Sequence, residues 1–343
     1  FGLWYFFAFP NYIRTGKKVG IIGCGHHAFS SIAFFLTKYT NCKIIWAFDT
    51  DIKAAKSFSS FYKVPKILEK INDAKYEIPD IVYIVSNHKT HTDYACKFLQ
   101  LGCEVFIEKP LSVNLKQISQ LSKSVKQSQS KVYAGYNRPF SSGIQFIERY
   151  LNKKPFTLSC FIIGHWIDEN HWYRDPKEGT RIISNVGHWI DLTIYIYSVL
   201  ERFPDYIDIT LTISDYNKPS ENLNISMISS TNDLISITFS ARGEPYEGVS
   251  ESINFQQDDL IFKINDFRDI DIWKGSVFKK LKNWRKDNGH KGAVLQPFSK
   301  SKIRPWFEIE LSTKLMLFIN DMVLLEKTNS RFKLYETNPS KSS

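Results

Sequence analysis

"KKVGIIGCGHHAFSSIAFF", residues 17–35, sets a short apolar run against a glycine-rich turn and then a helical pattern. Residues 19–22 are apolar and mostly β-branched, as a buried strand requires. Gly23-x-Gly25-x-x-Ala28 follows, and Ala28–Tyr39 reads as a helix. In a first strand–turn–helix unit each of these positions has a physical use. Gly23 permits the tight turn, Gly25 lets a diphosphate approach the backbone at the helix amino end, and Ala28 lets the helix pack closely on the strand. His26 and His27 fill the turn between them and are counted with it as cofactor-binding candidates.

The same alternation continues outward from this unit. "CKIIWAFD" is strand-like, Asp51–Phe61 helical, "DIVYIVS" a strand, Thr92–Leu101 a helix, "CEVFIE" a strand, Leu115–Lys126 a helix and "KVYAGY" a strand. Strands alternating with helices predict a doubly wound parallel sheet of Rossmann type over 17–138. Asp49 ends the second strand, where a carboxylate accepts hydrogen bonds from the adenosine ribose and repels a 2′-phosphate. NAD rather than NADP is therefore the expected cofactor. Ser86, Asn87, His88 and His91 follow the third strand and face the crevice where such sheets bind ligands. Asn87 or Thr90 could equally cap the next helix.

Beyond residue 138 the pattern changes. Ser141–Asn152 reads as a helix, "FTLSCFIIG" as a strand and Gly187–Leu200 as an amphipathic helix. Then "YIDITLTIS", "NLNISMIS", "LISITFSA", "ESINFQ", "LIFKIN" and "RDIDIWK" alternate apolar with polar, which predicts a largely antiparallel open sheet with one wet face. Trp306–Leu325 reads as a closing helix. The expected organisation is a segment 1–16 of open role, a dinucleotide-binding domain 17–138, an α+β domain 139–330 and a disordered tail 331–343.

Composition bounds the rest. The chain has 343 residues and a net charge of +10, and is rich in aromatics, with 26 Phe and 17 Tyr. Its five cysteines show no CxxC pair or zinc spacing, so buried free thiols in a reducing cytoplasm are expected, and no metal. No apolar run is long enough to span a bilayer, and the aromatic start lacks the features of a signal peptide. Much of the excess charge lies in residues 274–291, "KGSVFKKLKNWRKDNGHK", which reads as a solvated face. An attractive surface for an anionic substrate such as a sugar diphosphate is the second reading. No nucleic-acid or membrane motif accompanies it.

"GCEVFIEKPLSVN", residues 102–114, runs a buried strand into Glu108-Lys109-Pro110. Together, "GCGHHA", "EKP", "YNRPF" and "HWID" make the chain similar to the Gfo/Idh/MocA family, named for glucose–fructose oxidoreductase, inositol dehydrogenase and rhizopine catabolism. "HWYRDPKEGTRIISNVGHWIDL", 171–192, resembles a branch associated with polysaccharide and sugar-nucleotide genes. The resemblance implies a Rossmann domain joined to an open α+β sheet domain, and an NAD-dependent dehydrogenase of a sugar, nucleotide sugar or cyclitol. It implies Lys109 and His188 as catalytic residues, with His188 the first choice of base and Lys109 on the reacting oxygen. It adds Glu108, Lys109, Asn137 and Trp172 to the cofactor contacts. Lys109, His165, Arg174, Asn185, His188 and Asp191 become candidate substrate contacts. It also implies a homodimer or homotetramer.

The chain departs from the family at one chemical position. Many members place an Asp four residues before the histidine, and here that residue is Ser184. Two other readings stand beside the dehydrogenase: a tightly held NAD used for transient oxidation in epimerisation or elimination, as in related Rossmann families, and a non-catalytic NAD-binding regulator, which the Ser184 departure favours.

Overall fold

The computed structural model of the chain describes residues 16–299 and 303–334. Five strands, β1 (Lys18–Ile22), β2 (Lys43–Phe48), β3 (Ile81–Ile84), β4 (Glu104–Ile107) and β5 (Val132–Ala134), form one sheet in the order β2-β1-β3-β4-β5. Every neighbouring pair is parallel. All four residues of β3 and all three of β5 are buried. Such unbroken apolar strands are what helices on both faces demand. The order reverses between β1 and β3, and the crevice at that switch point is where a sheet of this order binds its ligand.

The first crossover starts with a π-helical turn, Ala28–Ala33, that tightens into α1 (Phe34–Tyr39). Helix α2 (Ile52–Tyr62) begins with Asp51, whose side chain accepts the Lys53 N–H, and stops at Lys63 in the left-handed conformation. Helices α3 (His91–Gln100) and α4 (Leu115–Ser128) complete the crossovers. A later segment joins the same unit: α7 (His290–Val294) and the residues after it put Val294, Leu295 and Phe298 into the core with Ile21, Tyr83 and Phe106. The chain thus divides into the described parts of Phe1–Ser112, Ser119–Gly135 and His290–Trp306 as one unit, with Val113–Ile118, Tyr136–Gly289 and Phe307–Ser343 as the other.

The second unit holds a nine-stranded sheet. Its members are β6 (Thr157–Ile163), β7 (Tyr206–Ile213), β8 (Asn222–Ser229), β9 (Leu234–Ser240), β10 (Ser250–Gln257), β11 (Leu260–Asn265), β12 (Asp269–Lys274), β13 (Val277–Lys282) and β14 (Asn329–Lys333). The order is β13-β12-β11-β10-β6-β9-β8-β7-β14. All pairs are antiparallel except β6 with β9. Burial alternates strictly along β6 and β11, so one face packs on the core and the other is wet. Helices α5 (Ser142–Glu148), α6 (Gly187–Leu200) and α8 (Trp306–Leu324) belong to the elements around it.

Several expectations need correction. The helix expected over 141–152 ends at Glu148, with turn backbone at Arg149 and Tyr150. The basic run is largely solvent-exposed, as expected of a solvated face, and it also contains the edge strand β13, whose lysines discourage further strand pairing. Its cations are also locally matched: Lys274 pairs with Asp259, Lys280 lies 3.5 Å from Asp271, and Lys286 lies 2.5 Å from Asp266. β14 runs through residues 331–333, which the sequence assigns to a tail. Only Phe332 of that strand is buried, so apolar alternation gives it no signal. Residues 1–15 and 335–343, which carry the aromatic start and most of the expected tail, lie outside the described residues.

Candidate cofactor and substrate sites

In the first unit the glycine turn is built by hydrogen bonds rather than by glycine alone. Gly23 sits at φ 88°, and a Cβ there would lie 2.5 Å from the Val85 carbonyl oxygen, so no other residue fits. Its N–H donates to Phe48 O at 2.9 Å. Asp49 completes the turn: Oδ2 accepts Cys24 N–H at 2.6 Å and Oδ1 accepts Asp51 N–H at 2.8 Å. A carboxylate offers about four lone-pair positions, so both oxygens keep capacity for a ribose hydroxyl. Gly25 is exposed, and a Cβ there would meet open space. The turn therefore presents bare backbone beside a half-exposed carboxylate, which fits the diphosphate and ribose of a dinucleotide.

At the end of β4 the Glu108 carboxylate is buried and doubly engaged. His27 Nε2 lies 3.2 Å from Oε1, and the Lys109 N–H donates to Oε2 at 2.8 Å. Burial alone would raise its pKa. His27 and Lys109 outweigh that and hold Glu108 at about 2, so it is an anion throughout the working range. Gly135, at the end of β5, makes room for it, since a Cβ there would lie 2.6 Å from Oε1. The peptide bond after Lys109 is cis. His91 fastens the next turn: Nδ1 lies 2.7 Å from Pro110 O and Nε2 2.8 Å from Ser86 O, with the ring 1% exposed. Its nitrogens thus join the ends of β3 and β4. His88 is also buried, Asn87 is exposed, and Ser86 shares a 2.7 Å hydrogen bond with Thr90.

One residue of this site gives no local signal in the sequence. His290, the first residue of α7, brings its ring centroid to 5.9 Å from that of His27. In the sequence it is only part of the basic run 274–291, and its place beside the glycine turn follows from tertiary packing.

The second unit carries the other candidates. A π-helical turn, Ile182–Val186, leads into α6, and such turns recur at functional sites. His188 and Asp191 both lie on α6 and are buried. Ser184 donates to Thr180 O at 3.1 Å and lies 3.3 Å from Asn185 Oδ1. Arg181 Nε also donates to Asn185 Oδ1, at 3.3 Å. With its oxygen committed, Asn185 presents its amide nitrogen as a donor.

Arg181 and Arg174 share the Glu221 carboxylate, at 2.6 and 3.0 Å. Arg174 also donates to Asp168 O and Ile167 O, so its guanidinium closes the loop that carries His171 and Trp172. His165 Nδ1 lies 2.6 Å from Glu244 Oε1, and Trp172 is 43% exposed. Asn137 is fully buried, and its Oδ1 accepts from Arg138 at 2.8 Å. Thus Gly23, Gly25, Asp49, His27 and Glu108 gather around the glycine turn and the end of β4, with Ala28 buried beneath the turn in the core, while Arg174 and His91 serve the scaffold around their sites. Among the described residues, no group of three or more His, Cys, Asp or Glu is arranged to hold a metal, and no helix is long and apolar enough to cross a membrane.

Comparison with known proteins agrees with this geometry. A family model described as "Oxidoreductase family, NAD-binding Rossmann fold" matches residues 17–136. YteT of Bacillus subtilis, which carries the name oxidoreductase, is 26% identical over 195 residues, covering 51% of this chain and 45% of that protein. Inositol 2-dehydrogenase of Ralstonia nicotianae is 22% identical over 177 residues, covering 50% of this chain and 49% of that protein. The chain spans about half the length of these curated relatives. Among solved structures, GenD2 from gentamicin A biosynthesis, in complex with NAD, superposes with a TM-score of 0.76 at 11% identity. That match covers 93% of this chain and 97% of the other, and it establishes a common fold.

Proposed function

We propose that the chain, whose residues 17–136 match the NAD-binding Rossmann model of the Gfo/Idh/MocA oxidoreductases, is an NAD-dependent dehydrogenase acting on a hydroxyl of a sugar, nucleotide sugar or cyclitol. The observation that carries this reading is the Asp49 carboxylate, which shapes the Gly23–Gly25 turn and keeps lone pairs for ribose hydroxyls. A negative charge at that point disfavours the 2′-phosphate of NADP. The substrate class draws support from relatives named as inositol dehydrogenases.

When bound, NAD supplies the hydride acceptor. The chain's own residues bind, orient and manage the proton. Lys109 follows the buried Glu108 anion at the end of β4, and its ammonium stabilises negative charge developing on the reacting oxygen. His188 accepts the hydroxyl proton, since an imidazole titrates near working pH. Ser184 spends its hydroxyl hydrogen on Thr180 and contributes no acid–base function. Asn185 offers its amide N–H to a substrate oxygen, and His165, Arg174 and Trp172 frame the loop around the sugar. The same reading expects a homodimer or homotetramer. Its interface would be the wet face of the nine-stranded sheet, where Phe161, Ile228 and Leu234 are about half exposed.

The test is mass spectrometry of small molecules retained on purification, followed by NADH formation against panels of nucleotide sugars and cyclitols. Lys109→Ala and His188→Ala should lose turnover far more than NADH affinity. Full turnover in both variants would overturn the assignment of roles.

A further inference from the structure

An aromatic layer covers one face of the first unit's sheet. Trp46 and Phe48, two residues apart on β2, share the face of their β1 partners Gly20 and Ile22. On the opposite face Ile21 packs with Ile32, Leu36 and Phe58 of the first two crossovers. Gly20 has to be small: a Cβ there would lie 2.3 Å from the Trp46 ring, so the indole lies over β1. It meets Phe98 of α3 with ring centroids 5.7 Å apart. One helical turn earlier on α3, Tyr94 meets Phe48 at 6.3 Å.

The start of α3 is fastened, so Tyr94 has a fixed place. His91 joins Ser86 O to Pro110 O, while Thr92 Oγ1 lies 3.1 Å from Leu111 O and 2.8 Å from Ser112 Oγ. The layer therefore carries the Tyr94 ring to the carboxyl end of β2, where Phe48 is the last strand residue and Asp49 follows. The Phe48 and Tyr94 rings stand 73° apart, so Phe48 covers at most one face of the phenol ring, and Tyr94 stays partly exposed. Burial first, then the Asp49 and Asp93 carboxylates, push its pKa above the ordinary tyrosine value, which places the phenol within electrostatic reach of Asp49.

A dinucleotide held by its diphosphate at Gly25 and by its ribose at Asp49 carries its base on that same ribose. The base needs a flat apolar surface beside the carboxylate. An aromatic ring supplies one, and the polar tip of a tyrosine can stay in water while its body packs. We propose that Tyr94 is a further cofactor-binding residue: its ring is the wall on which the adenine packs. This rests on the dinucleotide-binding reading and adds to it the residue that holds the base.

The experiment is calorimetric titration of the full chain with ADP-ribose, and displacement of NADH by AMP, in wild type, Tyr94→Phe and Tyr94→Ala. Tyr94→Phe keeps the ring and should bind both ligands within about twofold of wild type. Tyr94→Ala should bind both about tenfold more weakly, by the same factor, because both carry the adenosine. Thermal melts of the two variants should stay near wild type, since the ring is partly exposed. The inference alone falls if Tyr94→Ala binds AMP like wild type, or if Tyr94→Phe loses as much affinity as Tyr94→Ala. It falls together with the proposed function if wild type binds neither NADH nor ADP-ribose.

Discussion

Arg138 holds Glu251 in a two-pronged pair, Nε 3.0 Å from Oε2 and Nη2 2.7 Å from Oε1, with side chains 5% and 0% exposed. The same guanidinium donates to Asn137 Oδ1 and lies 4.9 Å from the Trp189 ring, next to His188. It therefore ties the turn after β5 to β10 and to the start of α6. Removing one partner strands a buried charge, which costs about 3–5 kcal/mol. Glu251→Gln should lower the second unit's stability by that order in denaturant unfolding. Combining it with Arg138→Met should recover a large part of the loss, because no charge is then left unpaired.

Gly135→Ala tests the packing of the cofactor crevice. The added methyl would meet Glu108 Oε1 at 2.6 Å and Cα at 3.0 Å. The backbone atom cannot yield, so the carboxylate must move away from His27. An overpacking cost of about 1–3 kcal/mol is expected. NADH fluorescence titration should show weaker binding in the same variant. Unchanged stability and affinity would mean that Glu108 has room the structure does not show.

How much of this was legible beforehand follows the reach of each interaction. Gly23, Gly25 and Asp49 stand out because a turn and the end of the adjacent strand are local problems with few solutions. Glu108 and Lys109 stand out because a charged pair closes an apolar strand. The partner of Glu108 is less obvious, since the structure supplies His27 from the distant glycine turn. His290 is invisible because nothing near it in sequence says that α7 packs into the first unit. β13 and β14 are missed for a different reason. Edge strands bury little, so their pairing with β12 and β7 leaves almost no apolar alternation.

Asp49→Asn separates the two duties of that side chain. The amide oxygen can still accept one backbone N–H, but the negative charge is gone and one of the two bonds, to Cys24 or Asp51, is lost. Charged hydrogen bonds of this kind contribute about 1.5–3 kcal/mol. NADH affinity should fall by about tenfold or more. NADPH affinity should fall less or rise, so the ratio of the two dissociation constants is the decisive reading.

The thiols should be inert in the folded chain. All five cysteines are free, and burial pushes Cys24 up to about 12, helped by Asp49, and Cys103 up to about 11, helped by Asp80. Cys42, Cys96 and Cys160 are raised as well, chiefly by burial. Only the thiolate alkylates readily. Iodoacetamide at about pH 8 should label none of these cysteines in the native protein and all five after denaturation. Rapid native labelling at Cys24 would contradict the closed glycine turn.

Glu108 sets the expected response to acid. Burial acts to raise its pKa, but the His27 charge and hydrogen bond, with Lys109, lower it from 4.5 to about 2. A carboxyl depressed in the folded state stabilises the fold above its unfolded value, and that contribution is lost as pH falls from about 4.5 toward about 2. His27→Gln removes the largest of the opposing causes, so burial then raises the folded value and the stabilisation shrinks. Denaturant unfolding followed from neutral pH downward should therefore show the variant less stable than wild type near neutrality. The two curves should converge below about pH 4, because wild type alone has this contribution to lose. A constant gap between them down to acid pH would mean that His27 acts on the fold through packing and not through the Glu108 charge.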